Sequence, residues 1–569
     1  MRLVEVRLLD GPNIYRLEPT VRIELTIGRR RSWFGQRIPP RHAVVRLGAR
    51  VPAAAAPTPV AQLAQWVRRL HRSALGRAIQ VTIHRTSEPG HWVVTFPWRE
   101  HERAETLANA AYRLAENPSH RLFNRALRRI AEAGSTPPAW IATEEVRPLG
   151  KRVPLISISG TNGKSTTTRM LTHMAMSAGM RVGTTTTDGV LVNERMVEPG
   201  DFTGPLGARA VLTNADVDLA VLETARGGIL LRGLGYDAND ASVLTNVSAD
   251  HLDLQGLHTL PELVEVKSVI CRVTRPNGAV VLNADDALVA AISRRVRARV
   301  FFFSLKPRSA RVRAHVRRGG TAFVLDGGWL VELTGSRRRR IIAVTDVPAT
   351  LGGLARHNIA NALAAIGGAR ALRIPYAAIG NGLRDFHNSP ELMPGRLNLY
   401  LRENRLVIID YAHNEAGLEA LLDTTEGLIG RRGRRRATLS AMIGAAGDRP
   451  DDALRAVGRL AAERADEVAL KEDLPFLRGR TRQSALGELR DGIRSGGGSP
   501  SSVPDYIDEQ TALEGELTTA GRLAADEGDT PRVTILMCHA HREEVAAYLD
   551  RAGFKPVRDL AEVASFRTA

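Results

Sequence analysis

A glycine-rich turn between an apolar strand and a helix constrains this chain more than any other feature. The apolar run at residues 155–159 (LISIS) leads into residues 160–165 (GTNGKS), and a helical pattern then continues to residue 178. The backbone N–H groups of such a turn lie at a helix N-terminus, where they can surround phosphate groups. The spacing is shorter than the Walker A pattern, because Ile158 stands where that pattern has its first glycine. The segment therefore predicts a phosphate-binding loop.

Lysine is rare in this chain, which makes the lysine of the loop more informative. Of 79 basic residues, only those at positions 151, 164, 267, 306, 471 and 555 are lysine. A lysine in a chain that otherwise uses arginine indicates a site that needs a compact or titratable amine. We predict that Lys164 reaches the β- and γ-phosphates of a nucleotide and that the Ser165 hydroxyl binds Mg²⁺.

Length and pattern predict a three-domain α/β protein. The 569 residues correspond to three to four domains at about 150 residues each. From residue 154 onward, short apolar runs alternate with helical patterns, which indicates a doubly wound, mostly parallel sheet. We predict a small α+β domain at 1–149, a central P-loop domain at 150–391 and a smaller, Rossmann-like α/β domain at 392–569.

Two regions differ from the alternating pattern. The N-terminal region has strand-like runs at 3–9, 21–27, 79–83 and 92–96, together with helical patterns at 60–75 and 102–115. Residues 309–350 show short alternating runs, which predict a β-rich insertion or edge sheet.

The composition excludes several classes of protein. Two cysteines, Cys271 and Cys538, cannot form a disulfide framework or a cysteine-rich zinc site. The first residues do not resemble a signal peptide, and no run of about 18 apolar residues is present, so we expect a cytoplasmic protein without a membrane partner. The net charge of +18 arises from arginines spread along the chain. Because no basic patch is interleaved with aromatic residues, we do not expect nucleic acid to be the main partner. A homo-oligomer is left open.

Three further polar positions follow the pattern of an active site. Glu223 ends an apolar run, where an open α/β sheet binds ligands, although a surface ion pair is an equally good interpretation of this residue alone. His251 lies in residues 246–253 (NVSADHLD), directly after another apolar run, and a lone histidine is more often structural than metal-ligating. Lys267 interrupts an apolar helical pattern, where a surface lysine is the plainer interpretation.

Taken together, these motifs resemble the Mur ligase superfamily. The superfamily includes the amide ligases of peptidoglycan precursor synthesis, folylpolyglutamate synthetase and the C-terminal ligase part of cyanophycin synthetase. The resemblance covers residues 150–540 and is carried by the following segments: 160–165 (GTNGKS), Glu223, 246–253, Lys267, 283–286 (NADD), 357–361 (HNIAN), 394–396 (PGR) and 410–414 (DYAHN).

Within the superfamily the chain is most similar to cyanophycin synthetase. Residues 223–234 (ETARGGILLRGL), 444–449 (GAAGDR), 471–480 and the opening residues 9–15 (LDGPNIY) match its motifs. The ATP-grasp domain that cyanophycin synthetase carries between these parts has no room here, because residues 120–150 run directly into the phosphate loop. Residues 538–541 (CHAH) also depart from the loop expected near the nucleotide.

The resemblance implies an ATP-dependent ligase that activates a carboxylate as an acyl phosphate for attack by an amine. It implies two Mg²⁺ ions, one held by Ser165 and Glu223 and one by His251, and a carbamylated Lys267. The catalytic residues would be Lys164, Glu223, His251 and Lys267. The residues implied to contact ATP are Gly160, Thr161, Asn162, Gly163, Lys164, Ser165, Thr166, Asn246, Asn358, Asn361, Arg396 and Asp410.

The substrates implied are an amino acid and a carboxylate of a peptide or acidic polymer. Lys471, Asp473 and Arg480 are candidates for contacting the incoming amine substrate or the nucleotide. The alternatives are a ligase for a peptidoglycan-like or folate-like substrate, a weakly catalytic module that binds an acidic polymer, and a P-loop ATPase that is not a ligase.

Overall fold

The computed structural model describes residues 1–27, 45–86, 88–136, 152–249, 257–430, 437–444, 446–471, 477–527, 530–563 and 566, with backbone alone at 45–49 and 523–527. The chain divides into two compact units. The first consists of Met1–Gly160, Met180–Val247 and Leu252–Phe301, and the second of Thr161–Gly179, Ser248–His251 and Phe302–Ala569. The predicted three-domain boundaries stay a prediction.

The secondary structure begins with an α+β segment. Its elements are β1 (Arg2–Leu9), β2 (Thr20–Thr26), β3 (Val45–Val51), α1 (Thr58–Leu75), β4 (Thr82–Thr86), β5 (His91–Pro97), α2 (His101–Glu116) and α3 (His120–Glu132). The sheet is antiparallel in the order β1-β2-β5-β4-β3. The apolar faces of the three helices pack onto this sheet and form one buried core. The sequence predicted α1 and α2 but no helix at α3, and it placed the third strand-like run three residues early.

A second set of elements contains the predicted phosphate loop. It comprises β6 (Leu155–Ser159), α4 (Lys164–Met176), β7 (Val182–Thr185), β8 (Gly189–Val192), β9 (Arg195–Pro199), α5 (Pro205–Leu212), β10 (Leu219–Glu223), α6 (Arg226–Leu231), β11 (Asn239–Leu244), α7 (Leu260–Lys267), α8 (Val269–Arg272), β12 (Thr274–Asn283), α9 (Ala287–Ala291) and β13 (Arg299–Ser304). All of these except α4 and the end of β13 belong to the first unit.

The parallel strands of the first unit follow a doubly wound order. Within that unit the order is β12-β11-β6-β10-β7-β8-β9, parallel from β12 to β7 and antiparallel beyond. β7 and β10 lie on one side of β6, whereas β11 and β12 lie on the other. The chain therefore reverses its direction of winding at β6, and ligands of open α/β sheets bind at the carboxyl end of such a strand.

The remaining elements belong to the second unit. They are α10 (Ala310–Arg317), β14 (Thr321–Asp326), β15 (Trp329–Thr334), β16 (Arg337–Ala343), α11 (Arg356–Ala371), α12 (Tyr376–Arg384), β17 (Asn398–Arg402), β18 (Arg405–Asp410), α13 (Glu415–Leu428), β19 (Thr438–Ile443), α14 (Asp451–Arg464), β20 (Glu467–Lys471), α15 (Arg482–Ser495), β21 (Asp505–Tyr506), α16 (Glu509–Glu527), β22 (Arg532–Met537), α17 (Arg542–Arg551) and β23 (Lys555–Pro556).

The second unit contains an antiparallel meander and a second α/β sheet. β14, β15 and β16 form the β-rich insertion that the sequence predicted, but the same region opens with the helix α10, which it did not predict. The second sheet has the order β21-β20-β19-β22-β18-β17-β23 and is parallel from β21 to β18. The predicted α/β fold class, with two mostly parallel sheets and an N-terminal α+β segment, is confirmed. Among the described residues, no helix is long and apolar enough to cross a membrane.

Candidate active site

The strand ends of the first unit gather polar groups at the predicted ligand-binding edge. Glu223 is the last residue of β10, which pairs with β6, and its side chain is 2% exposed. The alternative that Glu223 belongs to a surface ion pair is therefore wrong. Thr245 and Asn246 follow β11 on the other side of β6. The Asn283 side chain at the end of β12 donates a hydrogen bond to the Thr245 carbonyl (2.8 Å) and fixes this turn.

Gly160 follows β6 because no larger residue fits there. Its φ of +152° lies in a region that favours glycine, and a Cβ would lie 1.9 Å from Thr245 Oγ1. The backbone of the loop can therefore pass close to the end of β11.

Lys267 is buried and contacts the beginning of the loop. It is the last residue of α7 and is 6% exposed, so the surface-lysine interpretation is wrong. Its Nζ donates a 2.6 Å hydrogen bond to the carbonyl oxygen of Gly160. Helix α7 begins with a capping box, in which Thr259 and Glu262 each accept a hydrogen bond from the backbone of the other. This cap fixes the start of the short helix that carries Lys267 to the loop.

The second unit contains the rest of the loop and the helix that follows it. Gly163 adopts φ +82° at the N-cap of α4, and a Cβ there would lie 2.1 Å from Asn361 Oδ1. Lys164 begins α4, and its Nζ donates to the Thr161 carbonyl (2.9 Å). Ser165 is buried in the first turn. The N-terminus of α4 therefore presents the residue types of a phosphate site in the predicted order.

Two asparagines of α11 support this loop. Asn358 and Asn361 are three residues apart, so they share one face of the helix. Asn361 Nδ2 donates to Asn358 Oδ1 (3.2 Å), and Asn358 Nδ2 donates to the Ala349 carbonyl (2.8 Å). Both residues are buried, so the Asn361 side chain is held where it would collide with any side chain at position 163.

A second loop of this unit also reaches the phosphate loop. It follows β18 and spans residues 410–414 (DYAHN); we call it the 410–414 loop. Asn414 caps α13, and its side-chain amide exchanges two 3.2 Å hydrogen bonds with that of Asn162. Asn414 was recognised from the sequence as part of a motif, but its pairing with Asn162 was not predicted.

Asp410 and Arg396 lie at the base of the 410–414 loop. Burial raises the pKa of Asp410, although Arg396 and the N–H groups of Ala412 and Leu397 favour its ionised form. Those two N–H groups donate to Asp410 at 2.7 and 2.8 Å. The Arg396 guanidinium lies 4.0 Å from the centre of the Tyr411 ring. The two predicted nucleotide-side residues are thus brought together.

Lys471 has a different environment from the one the sequence suggested. It is 2% exposed, and its Nζ donates to Glu509 Oε1 at 2.6 Å. The Lys471 ammonium thus has a buried partner within the protein, and its predicted contact with the amine substrate or the nucleotide stays a prediction. Glu509 was not predicted from the sequence, and His539 was marked there only as part of an atypical loop.

His251 lies outside the described residues, as do Asp250 and Asp253. Its predicted role as a metal ligand stays a prediction.

Comparison with known proteins identifies the domains that carry these motifs. Residues 158–369 match the Mur ligase middle domain, and residues 395–530 match the Mur ligase glutamate ligase domain. The two matches cover more than half of the chain. The chain belongs to the Mur ligase superfamily.

Relatives of known sequence and structure agree with this assignment. The cyanophycin synthetase of Synechocystis sp. is 43% identical over 322 residues, which is 57% of this chain and 36% of that protein. The chain thus spans well under half the length of this relative. The Mycobacterium tuberculosis folylpolyglutamate synthase complexed with ADP superposes with a TM-score of 0.53 at 19% identity, over 71% of this chain and 91% of that one. This Mur ligase fold was predicted from the motifs and is confirmed.

The residue types found in each unit, taken separately, fit a nucleotide and a divalent cation. In the second unit, the N-terminus of α4 follows Gly163, where a Cβ would collide with the Asn361 side chain, and backbone N–H groups at a helix N-terminus suit phosphates. Ser165 in the second unit and Glu223 in the first each offer an oxygen atom, the ligand type that Mg²⁺ prefers. Both are buried, which would strengthen their attraction for a cation.

Proposed function

We propose that this chain is an ATP-dependent ligase that joins a carboxylate to an amine and releases ADP and phosphate. The observation that carries the proposal is the buried hydrogen bond from Lys267 to Gly160, at the start of the phosphate loop. An ATPase needs the loop and its Lys164, but it has no evident need for a further, buried lysine beside the loop. The Mur ligase domains matched by the chain support the same conclusion.

In the proposed reaction, positioning and charge neutralisation do most of the work, as in other phosphoryl transfers. A carboxylate oxygen of the first substrate attacks the γ-phosphorus of ATP, and the bond to the β-phosphate oxygen breaks to release ADP. The amine nitrogen then attacks the acyl carbon, phosphate leaves, and the nitrogen loses a proton. Lys164 and the loop N–H groups hold the phosphates throughout.

Mg²⁺ would supply positive charge between the phosphates and beside the carboxylate. Ser165 and Glu223 are the proposed ligands of one ion, and His251 is the proposed ligand of a second. Asn246, Asn358, Asn361, Arg396 and Asp410 are assigned to the nucleotide, together with the loop residues Thr161, Asn162 and Thr166.

Lys267 is proposed to act as a carbamate. The lysine amine can lose a proton and react with carbon dioxide, whereas a guanidinium cannot. The carbamate would place a negative charge beside the phosphate loop, where it could orient a cation.

The proposed substrates are an amino acid and the carboxylate of a peptide or acidic polymer. The relatives named cyanophycin synthetase support this substrate class, but the chain spans only part of their length. No nucleic-acid partner is proposed.

The test is a phosphate-release screen of the purified chain. ATP, Mg²⁺ and single amino acids would be combined with β-aspartyl peptides, polyaspartate, a folate and a peptidoglycan-precursor peptide. We expect phosphate release that needs both an amine and a carboxylate, and that Lys164→Ala abolishes it. The exposed lysine at position 306 offers a matched control, since Lys306→Ala should keep the wild-type rate. Release without any acceptor, or unchanged release in Lys164→Ala, would contradict the proposal.

A further inference from the structure

A buried cluster of charged and polar side chains lies beneath the 410–414 loop. Lys471 ends β20, Glu509 begins α16, and His539 follows β22. Their exposed fractions are 2%, 0% and 6%. Charged groups with so little access to water need compensating partners. We call these three residues the buried triad.

Glu509 is the centre of the triad. Its carboxylate accepts hydrogen bonds from the Lys471 ammonium group (2.6 Å) and from the backbone N–H groups of His539 (2.5 Å) and His541 (2.7 Å). Burial alone would raise the pKa of Glu509, but Lys471 and these hydrogen bonds hold it below its usual range. The ionised carboxylate therefore fixes the backbone that carries His539.

The partners of His539 determine which ring nitrogen bears the proton. Its Nδ1 lies 3.2 Å from Lys471 Nζ, and its Nε2 lies 2.7 Å from the carbonyl oxygen of Ala412. An ammonium group only donates, so Nδ1 accepts; a carbonyl only accepts, so Nε2 carries the hydrogen. Burial and the Lys471 charge lower the pKa of His539 well below its usual value, which keeps the ring neutral in this tautomer.

Ala412 connects the triad to the proposed nucleotide site. Its N–H donates to Asp410, and two residues later Asn414 pairs with Asn162 of the phosphate loop. The ring of His539 also packs edge-on against Tyr411, with centroids 5.4 Å apart. The 410–414 loop is therefore held by His539 at its middle and by Asn162 at its end.

We propose that His539 is a positioning residue for the nucleotide: anchored by Lys471 and Glu509, it holds the 410–414 loop so that Asn414 supports the phosphate loop. This rests on the proposed function, since it presumes that the phosphate loop binds ATP. The triad does not touch the nucleotide in this proposal; it acts through Ala412.

Two substitutions separate the contacts of His539. The side-chain nitrogen of Gln occupies the region of Nε2 and can still donate to Ala412, whereas the oxygen of Asn occupies the region of Nδ1 and leaves Ala412 without a donor. We expect His539→Asn and His539→Ala to raise the KM for ATP about tenfold with little change in kcat, as the loss of one buried hydrogen bond predicts. His539→Gln should stay within about twofold of the wild-type KM.

The matched control is His71→Ala. His71 Nδ1 also lies 2.8 Å from a backbone carbonyl, that of Arg77, but in the N-terminal segment. We expect its KM to equal that of the wild type. An equal KM in His539→Gln and His539→Asn, whether raised or not, would overturn the proposal.

Amide hydrogen exchange of the 410–414 loop provides a readout that does not need catalysis. Faster exchange in His539→Asn than in His539→Gln supports the proposal, and equal exchange overturns it, even if His539→Ala fails to fold. Absence of ATP binding in the wild-type chain would instead contradict the proposed function, whatever the exchange result.

Discussion

Replacing Gly163 by alanine tests the geometry of the phosphate loop. The residue has φ +82°, a conformation that costs an alanine about 1–2 kcal/mol. The new Cβ would lie 2.1 Å from Asn361 Oδ1, so that side chain must move. Its buried hydrogen bond to Asn358 is then lost, at a further cost of about 1 kcal/mol. The two contributions together lower the free energy of unfolding by about 2–3 kcal/mol. The displacement of Asn361 alone, about 1 kcal/mol, corresponds to a roughly fivefold weaker affinity for the nucleotide.

Gly179→Ala offers a matched control three residues beyond the end of α4. Gly179 has φ +81°, but no atom lies within 4 Å of the position of a Cβ. Both variants should lose a similar part of their free energy of unfolding from backbone strain, measured by urea denaturation. Only Gly163→Ala should also weaken binding of a non-hydrolysable ATP analogue with Mg²⁺, measured by calorimetry. Analogue affinity within threefold of wild type in Gly163→Ala would refute this explanation of the loop.

Three further predictions concern the buried lysines. Lys267→Arg keeps the positive charge of an unmodified lysine but cannot form a carbamate. The kcat for ligation should therefore fall at least about 100-fold, while circular dichroism shows that the fold persists. An unchanged kcat would exclude the carbamate. Lys471→Met leaves the buried Glu509 carboxylate without its cation and should lower the free energy of unfolding by about 3–5 kcal/mol. The control Lys555→Met removes an exposed ion pair and should cost under about 0.5 kcal/mol. Similar losses in the two variants would contradict the buried pair. The pKa of Glu509 in the folded protein lies below its unfolded value of 4.5, so the ionised carboxylate stabilises the fold above pH 4.5 and this stabilisation is lost as the pH falls. Below pH 4.5 the urea midpoint should therefore drop less steeply with pH in Lys471→Met than in the wild type. Equal slopes in the two proteins would count against this linkage.

Local sequence patterns were sufficient to predict the strand, the loop and the helix around Lys164. The apolar run of β6 and the two glycines of the loop act over a few residues, so their spacing is visible in the sequence. Glu223 was predicted for the same reason, because the end of an apolar strand fixes its position at the sheet edge. The order of the motifs along the chain identified the family, which no single motif could have done.

Contacts between distant segments could not be predicted in this way. Lys471, Glu509 and His539 come from three separate elements, and only the packing of β20, α16 and β22 brings them together. The scarcity of lysine drew attention to Lys471, and the atypical loop at 538–541 drew attention to His539, but no pattern marked Glu509. Helices α3 and α10 were not predicted, although the apolar residues of α3 recur at helical spacing.

Isotope transfer from the carboxylate substrate tests the central claim most directly. The acceptor found in the phosphate-release screen would be labelled with ¹⁸O in its carboxylate, and the released phosphate would be analysed by mass spectrometry. Activation as an acyl phosphate predicts one ¹⁸O atom in the phosphate for each amide bond formed, with ADP as the other product. Phosphate without ¹⁸O, or release of AMP and pyrophosphate, would contradict an acyl-phosphate ligase.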